Sequence, residues 1–405
     1  MESELAEEAG LRGIKKHPLE KWSAVWEEIP NAFDRVTKIE IIERRYLKKI
    51  FKKKKYKLKE PFTSHVDDKD VILTAHVPGL LPGMNYTTEF VAAVVADKYI
   101  SHVPLERQTR EMESLGLSGM KNSTLSRLCA VAAGALEPLQ DAILSELLQS
   151  DTALHIDETP WGIQNKHEQD GFMWVISNRC GSYYFFKPTR SAKVLREKLH
   201  GYDGPVVTDG LETYNSVLVE ANLPHAYCWA HARREFFKIE SHDPSVTPIL
   251  DRIDELFAIE REAKDFTELK ILRKTKSAPV IHDLKRLLLE EYPKSRDGSQ
   301  KRKAILYLDK RWPGFELFLS DTRVPLSNNE AERTIRHAVM GRKNYYGSGS
   351  HTGAATAATL FTVIESCKKN DIDPRTYLLL VLKWLTESDE IETPLQYAKR
   401  IRQYC

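Results

Sequence analysis

Cysteine is scarce. The 405 residues hold five (Cys129, Cys180, Cys228, Cys367, Cys405), far apart, odd in number and without a Cys-x-x-Cys pair. That excludes a disulfide framework and suits a reducing compartment. Long apolar runs are missing too. No uninterrupted stretch approaches the roughly 18–20 residues of a membrane span, and residues 1–16 turn from acidic to basic with no apolar stretch, so no secretory leader is expected. Charge of one sign is also lacking: at a formal +2 the chain does not announce nucleic acid through its bulk balance. Internal repeats and low-complexity tracts are absent. What is left is a composition with 41% hydrophobic residues, enough for a sizeable core in two or three domains.

The cations are concentrated locally. Residues 35–59 carry Arg44, Arg45, Lys48, Lys49, Lys52, Lys53, Lys54 and Lys55 against Glu40 and Glu43, with Ile50, Phe51 and Tyr56 interleaved. The pattern favours small cation-bearing strands, used either for phosphate contacts or as a solvated basic face. Before it, Trp22 and Trp26 sit one helical turn apart in a charged lead-in; after it, Pro61, Pro78 and Pro82 mark a linker. From residue 85 the period turns helical. Gly116 and Gly119 split two helices over residues 105–133, with N-cap chemistry at Asn122, and the pair fits either plain packing or a DNA-reading helix-turn-helix.

The next stretch alternates apolar and polar residues through Leu154, His155, Ile156 and Asp157, and Pro160 is expected to stop it, which delivers Asp157 to the end of a short strand. Residues 171–177 and 182–187 complete a meander, and a charged helix follows. A β-branched run then ends at Asp209 before Gly210. Residues 238–320 read as a helical insertion. Ser327 or Asn328 would cap a helix running to Met340, followed by a basic, flexible loop from Gly341, an apolar helix and a final helix over residues 377–385. The organisation expected is a basic module over 1–60, a linker over 61–84, a helical part over 85–150, a catalytic domain over 151–345 and a helical region over 346–405.

Meander, helix, strand, then a later helix is the order of an α/β, RNase H-like fold: a mixed five-stranded sheet with helices. Such folds carry one carboxylate on the first strand, one after the fourth and one on a downstream helix, the slots of Asp157, Asp209 and Glu332. Hard oxygen ligands suit Mg²⁺ or Mn²⁺ rather than zinc, and two such ions would serve an in-line phosphoryl displacement. Each aspartate alone reads equally well as a turn residue. Glu158 follows Asp157 directly, so the pleat should turn it to the other face. Glu330 and Glu332 point in different directions on one helix. His225, Cys228 and His231 have a tolerable zinc spacing but no evident fourth ligand. Arg233, Arg234, Arg333, Arg336, Arg342 and Lys343 surround these motifs and suit either phosphate oxygens or salt bridges to the nearby acids.

Five motifs occur in order over about residues 86–385: His155-Ile-Asp157-Glu-Thr-Pro, Thr208-Asp209-Gly210, Cys228-Trp-Ala-His231-Ala-Arg-Arg234, Asn328-Asn-Glu-Ala-Glu332-Arg-Thr-Ile-Arg336 and Gly341-Arg-Lys-Asn344. In these the chain resembles transposases of the insertion sequence 66 family. The resemblance implies DDE chemistry: water cuts a transposon end, and the freed 3′-hydroxyl attacks target DNA. It implies that Asp157, Asp209 and Glu332, rather than Glu330, hold two Mg²⁺ or Mn²⁺ ions. It gives Cys228 and His231 a structural or DNA-positioning role. It also implies terminal inverted repeats and target DNA as partners, a homo-oligomer on DNA, helper proteins of the same element, and work in the bacterial cytoplasm at the nucleoid. The family's cysteine-rich zinc module corresponds to residues 46–56, which hold lysines and no cysteine, so no zinc is expected there. The family's longer N-terminal DNA-binding and coiled-coil part is expected to be missing. An inactive or truncated DNA-binding derivative, and an RNase H-like nuclease without strand transfer, are the other two readings.

Overall fold

A computed structural model describes residues 44–57, 72–74, 79–80, 84–387 and 391–403. The expected lead-in around Trp22 and Trp26, and most of the linker, lie outside the described residues. At the end of the basic run β1 (Lys55–Lys57) pairs antiparallel with β2 (Ile72–Thr74), Tyr56 opposite Leu73. Lys52, Lys53, Lys54 and Lys55 are all exposed.

Three helices follow. In α1 (Thr88–Tyr99), capped by the Thr87 hydroxyl on the Phe90 N–H, the period-four apolar residues Val91, Val94 and Val95 are buried. After α2 (Leu105–Ser114) the chain turns at Gly116 and Gly119, both at positive φ. The helix α3 (Asn122–Gln149) then runs well past the expected end. Lys121, not Asn122, occupies its cap position, and the Asn122 side chain instead accepts from Thr109. By length and composition α3 would reach across a membrane. Arg127, Glu137, Asp141 and Glu146 interrupt the run in sequence, while Leu125, Leu128, Ala132, Leu136, Leu139, Ile143 and Leu147 bury one face in the core.

The sheet comprises β3 (Leu154–Trp161), β4 (Gly171–Ser177), β5 (Ser182–Lys187), β6 (Val206–Thr208) and β7 (His225–Tyr227), in the spatial order β5-β4-β3-β6-β7. The first three form the antiparallel meander; β6 and β7 lie parallel to β3 and to each other. Such parallel neighbours need a crossover, and α4 (Glu212–Glu220) provides it between β6 and β7.

After β7 come α5 (Trp229–Glu240), α6 (Thr247–Glu262), α7 (Phe266–Leu272), α8 (Ala278–Glu291), α9 (Gln300–Asp309) and α10 (Trp312–Ser320). This helical insertion forms a second apolar core, with Phe236, Ile249, Ile253, Leu256, Leu284 and Phe315 packed on Val207 and Ala226 of the sheet edge. Arg273, 1% exposed, ties it together: both carboxylate oxygens of Glu260 accept from it at 2.7 Å, as do the carbonyls of Phe318, Asp321 and Val324 at 2.7, 3.1 and 2.9 Å.

The chain then returns through α11 (Asn329–Tyr345), α12 (His351–Lys369), α13 (Pro374–Glu387) and α14 (Pro394–Gln403). The apolar helix α12 packs on β5 and α3, and α13 on α1. The helices before and after the sheet and its insertion therefore share one hydrophobic core with the meander.

Three local expectations need correction. Pro160 does not end its strand: β3 continues to Trp161. Leu154 directs its N–H toward β6, onto Pro205 O, and alternation turns Pro160 the same way. There β3 pairs with β6 only at Leu154 and His155, so a missing N–H costs no ladder bond. Gly341-Arg-Lys-Asn344 is not a loop but the last turns of α11, which ends at Tyr346 with φ 59°. Residues 377–385 are not the last helix, since α14 follows.

Candidate active site

The sheet register brings the two aspartates together. His155 on β3 is level with Val207 on β6, the last pair before the strands part. Asp157 and Asp209 each lie two residues beyond it, at the opening between two parallel strands. Asp157 is thus the fourth residue of an eight-residue strand, not its end. It sits at an end of another kind, where the β6 side of β3 loses its partner.

That unpaired edge is occupied by side chains of the site. Ile156 O accepts from Asn328 Nδ2 at 2.9 Å, the Glu158 N–H donates to Asp157 Oδ1 at 2.9 Å, and Pro160 O accepts from Arg342. Asn328 is fully buried. Because its Nδ2 donates to Ile156, its Oδ1 is the acceptor for His155 Nδ1–H at 3.0 Å, which fixes the histidine tautomer. Burial pushes His155 down to about 4, so the ring is neutral at pH 7. Asn328 also donates its backbone N–H to Cys228 Sγ at 3.2 Å. It stands at the cap position of α11 yet makes no side-chain cap; its amide is used across the fold. The start of α11 is thereby fixed to the strand that carries Asp157, and Glu332 follows one turn on. Asn328→Ala should cost about 1–3 kcal/mol for each polar group left unpaired and lower any catalysis about 10–100-fold, as loss of an outer support does. Denaturant melts and DNA nicking measure the two effects.

Asp209 is held by its own turn. Its Oδ1 accepts from the Leu211 N–H at 3.0 Å, and its carbonyl accepts from Tyr307 OH of α9 at 2.9 Å. Gly210 sits at φ +88°, and a Cβ there would meet the Tyr307 hydroxyl at 2.4 Å. The helical insertion therefore closes over the Asp209 turn.

Glu158 faces away, as the pleat requires. It is buried, accepts from Arg190 Nε at 2.7 Å and binds the Tyr214 hydroxyl. Glu330 is ion-paired with Lys369. Glu332 has His231 Nδ1 at 3.5 Å from Oε1 and Arg234 Nη2 at 4.0 Å from Oε2. Burial raises the Asp157 carboxyl to about 7, with Glu158, Asp209 and Glu332 adding to it. No cation pairs with Asp157 among the described residues, and Glu332 gathers with Cys228 and His231 within 4.8 Å rather than with the two aspartates.

The basic residues divide. Arg234, Arg333, Arg336 and Lys343 are exposed. Arg233 is bidentate to Asp254 of the insertion at 2.5 and 2.7 Å, and Arg342 is bound to Thr159 and Pro160 on β3. The spacing His225-x-x-Cys228-x-x-His231 does not gather: His225 Nε2 meets the Thr208 hydroxyl at 2.8 Å, and Glu332 stands with Cys228 and His231 instead. Asn328, Tyr307, Arg190 and Tyr214 do not stand out in the sequence as site residues, because their partners are 32 to 173 residues away in the chain and only the fold brings them near.

Residues 83–356 match the family described as Transposase IS66 family. The uncharacterized protein y4hP of Sinorhizobium fredii is 33% identical over 322 residues, covering 72% of this chain and 58% of y4hP. The uncharacterized protein y4jD of the same organism is 28% identical over 353 residues, covering 80% of this chain and 69% of y4jD. The chain thus spans little more than half the length of y4hP.

Proposed function

Because the chain belongs to the transposase IS66 family, we propose that it is a DNA transposase that cuts the ends of its element and joins the 3′-hydroxyls to target DNA. Its RNase H-like core uses Asp157, Asp209 and Glu332 as the acidic triad. The observation that carries the reading is the β3–β6 register, with Asp157 and Asp209 level with each other just past the last strand pair. In open sheets that crevice, at the carboxyl ends of parallel strands, is where ligands bind.

The triad residues would hold two Mg²⁺ or Mn²⁺ ions, which supply positive charge to the attacking and leaving oxygens of a phosphoryl displacement. The chain's own part is positioning. Asn328 fixes α11 to β3, Tyr307 fixes the Asp209 turn, and the Arg190–Glu158–Tyr214 contacts fix the opposite face of the strand. The exposed Arg234, Arg333, Arg336 and Lys343 grip phosphate oxygens of the transposon ends, with the Lys52–Lys55 run as a second basic surface. Arg233 and Arg342 serve structure first. The working form is a homo-oligomer holding terminal inverted repeats and target DNA together, aided by helper proteins of the element, in the bacterial cytoplasm.

A labelled, pre-cut transposon end with a free 3′-hydroxyl, incubated with the protein, Mg²⁺ and a plasmid, tests the reading. A transposase yields labelled plasmid. Cleavage of uncut ends without labelled plasmid would instead mark a nuclease, and binding with neither product an inactive DNA-binding derivative.

A further inference from the structure

Cys228, His231 and Glu332 form a second cluster beside the aspartates. One donor atom from each lies within 4.8 Å of the other two. Cys228 ends the β7 segment and His231 lies on the first turn of α5, so one chain reversal supplies two donors; Glu332 arrives from α11. The Asn328 N–H donates to the Cys228 sulfur at 3.2 Å. His231 Nδ1 and Glu332 Oε1 are buried, face each other at 3.5 Å and have no hydrogen-bond partner. Two unpartnered buried polar atoms turned toward one point are costly unless something binds both.

We propose that Cys228 Sγ, His231 Nδ1 and Glu332 Oε1 form a binding site for a thiophilic divalent cation, of which Zn²⁺ is the fitting example. The donor set decides the metal. Sulfur and imidazole select zinc, whereas the all-oxygen Asp157–Asp209 pair selects magnesium or manganese. Donor atoms around one tetrahedral zinc stand roughly 3.3–3.8 Å apart, so the His231–Glu332 pair already has that spacing and the sulfur needs only a small closure. Three protein ligands leave the fourth position open to water. With Oε1 committed to this site, Oε2 is left 4.0 Å from Arg234, which makes Cys228 and His231 positioning residues for Glu332. Only that last consequence rests on the transposase reading; the cation site itself does not.

Cobalt(II) added to the metal-free full-length chain under reducing, oxygen-free conditions tests this without DNA. One cobalt per chain should produce a thiolate-to-cobalt charge-transfer band in the near ultraviolet and the intense visible bands of four-coordinate cobalt, and Zn²⁺ should displace it. Cys228→Ser should abolish the charge-transfer band. Glu332→Gln, a change of equal size at a half-buried position, should keep the band but weaken cobalt binding by more than about tenfold. Absence of the band in the parent, or its full retention in Cys228→Ser, overturns the site. A band in a chain that cuts no DNA upholds the site and counts against the transposase reading alone; Mg²⁺-dependent cleavage in a chain with no band overturns the site alone.

Discussion

Asp157→Asn, Asp209→Asn and Glu332→Gln should each abolish Mg²⁺-dependent cleavage of DNA carrying the element's terminal repeats while leaving DNA binding measurable. The loss should exceed the about 10–100-fold that removal of an outer support costs, because these are the oxygens proposed to hold the cations. Isosteric amides keep the shape and remove the charge, so a fall in cleavage with intact binding reports chemistry rather than folding. Asp209→Asn cutting like the parent would sink the assignment.

Asp157 adds a second, independent readout. Its carboxyl is raised from its ordinary value near 4 to about 7, first by burial and then by the surrounding acids. The folded state therefore binds this proton more tightly than the unfolded chain does. Between about pH 4 and pH 7 the folded state carries more protons, so metal-free stability falls as pH rises through that window and the loss is complete above it. The amount is on the order of a few kcal/mol. Asp157→Asn cannot ionise, so metal-free Asp157→Asn should melt higher than the parent at pH 8 and lose that advantage toward pH 4. A catalytic group held at the expense of stability predicts this inverse relation; a plain turn aspartate does not. Thermal melts in chelator across pH decide it.

Arg273→Ala should cost about 3–5 kcal/mol, the usual penalty for breaking a buried ion pair from one side. The substitution strands the Glu260 carboxylate and removes the donors of three carbonyls at once. Those carbonyls, on Phe318, Asp321 and Val324, belong to the segment leading out of the insertion toward α11. The damage should concentrate in α6 to α10, seen as faster amide exchange there, with β3 to β5 protected as before. Equal loss of protection in both cores would mean that the second core does not unfold apart from the first. Arg273→Met, which keeps the volume, should still lose most of this stability because the half-buried Glu260 and three carbonyls are left without their partner.

Much of the fold was legible in the chain because it is written in local periods. The meander reads as period two, α12 and the insertion as helical spacing, and the Asp209 turn as a β-branched run stopped by Asp-Gly. The errors were local signals read without their neighbours. Pro160 looks like a strand stop, yet it is harmless because β6 has already parted from β3 on the side its nitrogen faces. Gly341 looks like a loop opener, yet it lies inside α11 where Tyr345 and His102 pack against it. Asn328 looks like a cap, yet its amide spans to Ile156 and His155, 172 and 173 residues away.

The sequence by itself determined the residue types, the order of the strands and helices and the family to which the chain belongs, since all of these depend on neighbours along the chain. Which aspartates stand level depended on strand register, and what each of two glutamates on one helix meets depended on how α11 docks. Those choices fell to tertiary packing: Lys369 draws Glu330 away, and Asn328 fixes the turn from which Glu332 projects. The pairing of Cys228 and His231 with Glu332 rather than with His225 was likewise decided only in space, because Thr208 already holds the His225 ring.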